Sequence, residues 1–97
     1  VKNWQVIART IAELTREIVS DMARRGYHAR TVTLKIRFDN FHMITRATTI
    51  EEYCASEEKI RKAAFACLKR VDLIRKVRLI GVRVTNLEKV EIEARQV

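Results

Sequence analysis

Residues 30–50 read RTVTLKIRFDNFHMITRATTI, and residues 78–88 follow later in the chain with RLIGVRVTNLE. In the first segment Val32, Leu34 and Ile36 alternate with Thr33 and Lys35. Successive side chains of a strand point to opposite faces, so this alternation predicts one face on a core and one face in solvent. The solvent face would carry cations and hydroxyl groups, and this chemistry suits a phosphate backbone.

The composition is that of a small, basic, folded chain. Its 97 residues suffice for one domain, and 47% hydrophobic with 33% charged residues is typical of a globular protein. Lysine and arginine number 20 against 12 acidic residues, which gives a formal net charge of +8. This balance favours nucleic acid as the partner. No segment approaches the roughly 18 apolar residues that span a bilayer, so no membrane partner is predicted.

Periodicity predicts a helix that ends near Arg25, strands over residues 30–38, 43–50 and 77–87, and a second helix capped by Ser56. The tail, residues 90–97, alternates weakly and is a candidate last strand. Each helix has one apolar stripe and the sheet has one apolar face. These features predict an α+β two-layer sandwich, with an antiparallel-rich sheet of three to four strands and two helices packed on one face.

The uncovered face of this sheet is the candidate binding surface. Four cations from three strands are predicted to converge there: Lys35, Arg37, Arg46 and Arg83. Arg46 and Thr48 share the strand parity of Ile44 and Ile50, so either a bulge intervenes or the apolar pair lies at the strand ends.

Catalytic and metal-binding patterns are lacking in the sequence. His28 and His42 fall in separate turns without a neighbouring nucleophile or ligand set. Cys54 and Cys67 have no Cys or His at zinc-finger spacing, which predicts reduced thiols in an intracellular protein. We therefore expect that the chain alone is not an enzyme and holds no cofactor.

Three segments together resemble the little-finger (polymerase-associated) domain of Y-family translesion DNA polymerases. They are GYHARTVTLKIRF at residues 26–38, DNFHMITRATTI at 39–50 and RLIGVRVTNL at 78–87. The resemblance implies a domain without an active site that holds the template-primer duplex by its backbone. It also implies a parent polymerase whose catalytic palm binds Mg²⁺. The implied phosphate contacts are Lys35, Arg37, Thr45, Arg46, Thr48 and Arg83.

Three departures from the family pattern qualify this resemblance. Thr48 stands where many relatives carry a second arginine, so the grip there is expected to be weaker. A sliding clamp is a further expected partner through the parent protein, although the tail lacks a convincing Q-L-x-L-F-like motif. The family's opening strand is missing before Val1, which favours a piece of a longer polymerase. The resemblance implies a central place for that strand, between the strands that here begin near Met43 and Val77, and residues 90–97 are the only candidate in this chain to fill it. The alternative is that the sequence begins within the domain and the tail is only a linker.

Two readings from other classes remain open at the level of sequence. A small basic α+β module that binds structured RNA, of the ribosomal or double-stranded-RNA-binding type, would have a similar composition. A protein-interaction domain could also present an open sheet to its partner. Neither the paired aromatic platform of a single-strand RNA-binding sheet nor a phosphate-cradling glycine loop is present.

Overall fold

A computed structural model of the chain describes residues 4–73 and 75–89. The elements are α1 (Trp4–Arg25), β1 (Tyr27–Phe38), β2 (Met43–Cys54), α2 (Glu57–Leu68) and β3 (Val77–Lys89). The predicted order of helix, strand, strand, helix, strand is confirmed, although each strand is longer at one end than the pattern indicated. The predicted strand at residues 90–97 lies outside the described residues.

The three strands form one antiparallel sheet in the order β2-β1-β3. The two strands that begin at Met43 and Val77 therefore both pair with β1, which lies between them. The expectation of a vacant central place between those strands was wrong, because β1 itself occupies that position and uses both of its edges. The idea that the tail fills such a place concerns residues outside the described part of the chain.

Local signals in the sequence set the helix boundaries. Gly26 follows α1 with a φ of 75°, the left-handed conformation that ends a helix most easily when the residue is glycine. Ser56 caps α2, since the backbone N–H of Lys59 donates to its hydroxyl oxygen at 3.3 Å. Glu57 and Glu58 occupy the first turn of α2, where carboxylates complement the helix dipole. Both predicted boundaries are confirmed.

The core lies between the helices and one face of the sheet. Val32, Leu34 and Ile36 of β1 are fully buried against apolar side chains of both helices, among them Ile7 and Ile60. The fold is thus the predicted α+β arrangement of two helices against an antiparallel sheet, and it leaves the second sheet face uncovered in the described residues. No described helix is long and apolar enough to traverse a lipid bilayer.

Candidate nucleic-acid interface

The strand register defines the uncovered surface, which we call the open face. In an antiparallel ladder, directly opposite residues point to the same side of the sheet. Lys35 lies opposite Thr45 on β2 and Gly81 on β3, so these residues share a face. By the same register, the open face consists of Thr31, Thr33, Lys35 and Arg37 of β1, Met43, Thr45, Ala47 and Thr49 of β2, and Leu79, Gly81, Arg83 and Thr85 of β3.

The open face carries positive charge only. Lys35, Arg37 and Arg83 are its ionisable residues, and none of its positions is acidic or aromatic. Within residues 4–73 and 75–89, the side chains of these three cations form no ion pair or hydrogen bond. The Nε atom of Arg37 is shielded from solvent and has no hydrogen-bond partner among these residues. Cations that have no partner among the described residues can bind an external anion without first losing a contact to those residues.

Arg46 and Thr48 do not belong to the open face. They lie opposite Leu34 and Val32, whose side chains are buried on the helix side of the sheet. The prediction that Arg46 converges with the other cations was therefore wrong. Pairing runs without interruption from Met43 to Thr49, and the irregularity comes only beyond Thr49, so no bulge reverses the parity of Arg46.

The side chains of these two residues have different surroundings on the helix side. Thr48 is half-buried, with its hydroxyl 3.1 Å from the Cys67 sulfur and accepting a 2.9 Å hydrogen bond from Nη2 of Arg70. Arg70 also donates to the carbonyl of Ala47, so it joins the turn that follows α2 to β2. Arg46 is exposed, and its Nη1 donates to the carbonyl of Thr45 at 2.8 Å. Of the predicted site residues, the structure thus brings together Lys35, Arg37, Thr45 and Arg83.

Further cations engage the β1–β2 turn. Nε of Arg75 donates to the Asp39 carboxylate at 2.7 Å, and this hydrogen bond lowers the pKa of Asp39. Arg78 stacks on the exposed Phe41 ring, 4.6 Å from its centroid. The Asp39–Arg75 pair partly neutralises the carboxylate of the β1–β2 turn. Sequence reasoning missed this pair because its members are far apart in the chain, and no local pattern signals it.

No group of three or more His, Cys, Asp or Glu side chains among residues 4–73 and 75–89 is placed to hold a metal ion. Cys54 and Cys67 are free thiols buried in the fold. What the open face can do chemically is bind anions.

Comparisons with known proteins point to DNA polymerases. A family model described as "impB/mucB/samB family C-terminal domain" matches residues 1–97. DNA polymerase IV of Methanoculleus marisnigri is 37% identical over 83 residues, which are 86% of this chain and 23% of that protein. DNA polymerase kappa of Arabidopsis thaliana is 38% identical over 74 residues, 76% of this chain and 11% of that protein. The chain therefore spans about a quarter or less of these relatives.

A solved structure shares the fold. It is described as a complex of the β-clamp processivity factor and the little finger domain of PolIV, and it matches with a TM-score of 0.71 at 21% identity. The match covers 100% of this chain and 86% of that one. The resemblance to the Y-family little finger is confirmed by these findings together. Because the family model matches the whole sequence, the chain belongs to the impB/mucB/samB family, as its C-terminal domain.

Proposed function

We propose that this chain is a non-catalytic DNA-binding domain of an intracellular lesion-bypass DNA polymerase, and that it holds the template-primer duplex by its phosphate backbone on the open face. The observation that carries this proposal is the convergence of Lys35, Arg37 and Arg83 on a face with no acidic position, where none of the three has a partner among residues 4–73 and 75–89. Phosphate contacts dominate affinity for nucleic acid and carry no sequence information by themselves. The domain would therefore follow the duplex whatever sequence is being copied.

The other predicted contacts fit this proposal in different ways. The hydroxyl of Thr45 lies in the same row as Lys35, so it can donate to a phosphate that Lys35 attracts. Arg46 would reach a phosphate only from the rim of β2, and Thr48 is already engaged with Arg70. We therefore assign the main phosphate contacts to the open face and a secondary phosphate contact to Arg46.

Two further proposals concern the parent protein. Its catalysis would take place in a palm outside this chain, where Mg²⁺ ions about 4 Å apart would serve nucleotide transfer. Because the related little finger was solved with a β-clamp, a sliding clamp is a second partner that we propose for the parent. Both rest on the relatives and not on the open face.

The proposal is tested by the salt dependence of binding. Fluorescence anisotropy with a labelled primer-template, from about 50 to about 200 mM salt, should give a log K that falls linearly with log salt. The three open-face cations account for roughly −2.7 of the slope, from about −0.9 for each contact, and the secondary contact of Arg46 adds to it. Changing the base sequence should alter affinity by less than about tenfold.

The same titration with structured RNA distinguishes the proposed function from its main alternative, a module that binds structured RNA. Double-stranded RNA has a deep, narrow major groove and is recognised largely by its 2′-hydroxyls and its shape. A sheet that grips a B-form duplex should therefore bind an RNA hairpin no more tightly than DNA. Binding that ignored salt would contradict the proposal, and a strong preference for the hairpin would favour an RNA-binding module.

A further inference from the structure

Gly81 is the one position of the open face that has no side chain. It lies directly opposite Lys35 on β1, while Arg37 and Thr33 are its diagonal neighbours across the same ladder. Along β3, the adjacent open-face positions are Leu79 and Arg83. The position without a side chain is thus bordered by all three cations of the face.

The fold itself does not require glycine there. Gly26 is the glycine with positive φ among the described residues, so the backbone conformation of Gly81 is open to other residues. A Cβ atom built on Gly81 would approach the Cβ of Lys35 at 3.8 Å, an ordinary van der Waals distance. Glycine in a strand interior weakens the strand and often marks a place where a ligand or another backbone approaches closely.

We propose that Gly81 is the floor of a phosphate-sized notch in which one phosphate group of the DNA backbone is seated. This inference rests on the proposed function and adds the position of the tightest contact. The missing side chain lets the phosphate approach the sheet between the cationic side chains. The ammonium of Lys35, directly opposite Gly81, would then donate to its oxygens, while Arg37 and Arg83 would hold the neighbouring phosphates. Charge-assisted bonds of this kind are the strong ones.

The notch also accounts for the neighbouring apolar side chains. Met43 and Leu79 lie on either side of Arg37 in the register. Both are at least partly exposed, Met43 at 37% and Leu79 at 46%. Leu79 has no acceptor in its side chain and the Met43 thioether is only a weak one, so the donors of the Arg37 guanidinium stay available to a phosphate.

The test fills the notch without changing any charge. Gly81→Val should fold, because β-branched residues suit strands and the site has room for Cβ. Its affinity for a labelled DNA duplex should fall by about tenfold, the cost of one lost charge-assisted contact. The salt slope should become shallower by about 0.9. Gly81→Ala, a smaller change, should lie between Gly81→Val and the unaltered chain.

Ala66→Val is the matched control. Ala66 is exposed on α2, and the helices pack on the opposite side of the sheet from the open face. The control should lose less than about twofold in affinity, because it adds apolar bulk away from the notch. A circular dichroism melt of each variant verifies folding.

The possible outcomes distinguish a failure of the notch proposal from a failure of the proposed function. Salt-dependent binding by the unaltered chain together with selective loss in Gly81→Val supports both. Equal affinities for Gly81→Val, Gly81→Ala and the unaltered chain overturn the notch and leave the proposed function standing. A loss in Ala66→Val equal to that in Gly81→Val also overturns the notch. If Gly81→Val fails to fold, the Gly81→Ala result decides in its place. No salt-dependent binding by the unaltered chain overturns the proposed function and the notch with it.

Discussion

Replacing Lys35, Arg37 and Arg83 together by alanine is expected to weaken duplex binding by about a hundredfold or more at low salt. Each of these cations lies on the open face without a partner among the described residues, so its loss would remove a proposed phosphate contact and break no hydrogen bond or ion pair of residues 4–73 and 75–89. The salt slope of log K should become shallower by about 2.7, which is about 0.9 for each of three contacts. Fluorescence anisotropy over a salt series measures both quantities.

A variant with the same change of net charge provides the control. Arg9, Arg25 and Lys62 are exposed cations on the two helices, and the ion pairs of Arg25 with Asp21 and of Lys62 with Glu58 are surface pairs. Such pairs contribute little to stability, so the triple alanine variant should fold normally. Its salt slope should stay within about 0.5 of the unaltered value. Equal losses in the two triple variants would mean that net charge, and not a defined surface, binds the DNA.

The second large effect is expected in the core. Leu34→Ala should lower the free energy of unfolding by about 2–5 kcal/mol, because it removes a fully buried side chain and leaves a cavity. Leu34 lies on the central strand β1, opposite Arg46 on β2 and Val82 on β3. Urea denaturation followed by circular dichroism measures the change.

Leu79→Ala is the corresponding change on the opposite side of the sheet. Leu79 is 46% exposed on the open face, so its truncation should change the free energy of unfolding by about 0.5 kcal/mol or less. A loss in Leu79→Ala as large as in Leu34→Ala would show that the open face is covered in solution. The assignment of the two faces would then be wrong.

Alternation along β1 allowed the sheet to be predicted from sequence. Val32, Leu34 and Ile36 are all buried as the period of two requires, and β1 lies at the centre, where both of its ladders reinforce the pattern. Ser56 and Gly26 marked helix boundaries correctly because capping depends on one or two residues. These features depend on residues that are close together in the chain, so they can be recognised in a single sequence.

The second strand was harder to interpret because its pattern is mixed. By parity Arg46 belongs with Ile44 and Ile50, yet its charge suggested the solvent face. The register agrees with the parity: Arg46 is opposite the buried Leu34 and therefore lies on the helix side of the sheet. β2 lies at an edge of the described sheet, where an exposed arginine on the helix side is tolerated. Edge position depends on the order of strands, which local periodicity does not encode.

Strand order itself was the other error. The vacant central place was expected from the arrangement of a family sheet, whereas in the structure β1 pairs with both β2 and β3. Contacts between residues distant in sequence, such as Asp39 with Arg75, decide such arrangements. Composition and periodicity report only on neighbours within a few residues of each other.

Methyl NMR during a titration with duplex DNA tests the central claim most directly, because it maps the bound surface without any substitution. Thr33, Thr45 and Ala47 place methyl groups on the open face, whereas Thr10 lies on α1. We predict that the open-face methyl resonances shift progressively as duplex is added, and that the Thr10 resonance does not. Shifts confined to helix residues, with Thr33, Thr45 and Ala47 unchanged at saturation, would contradict the account.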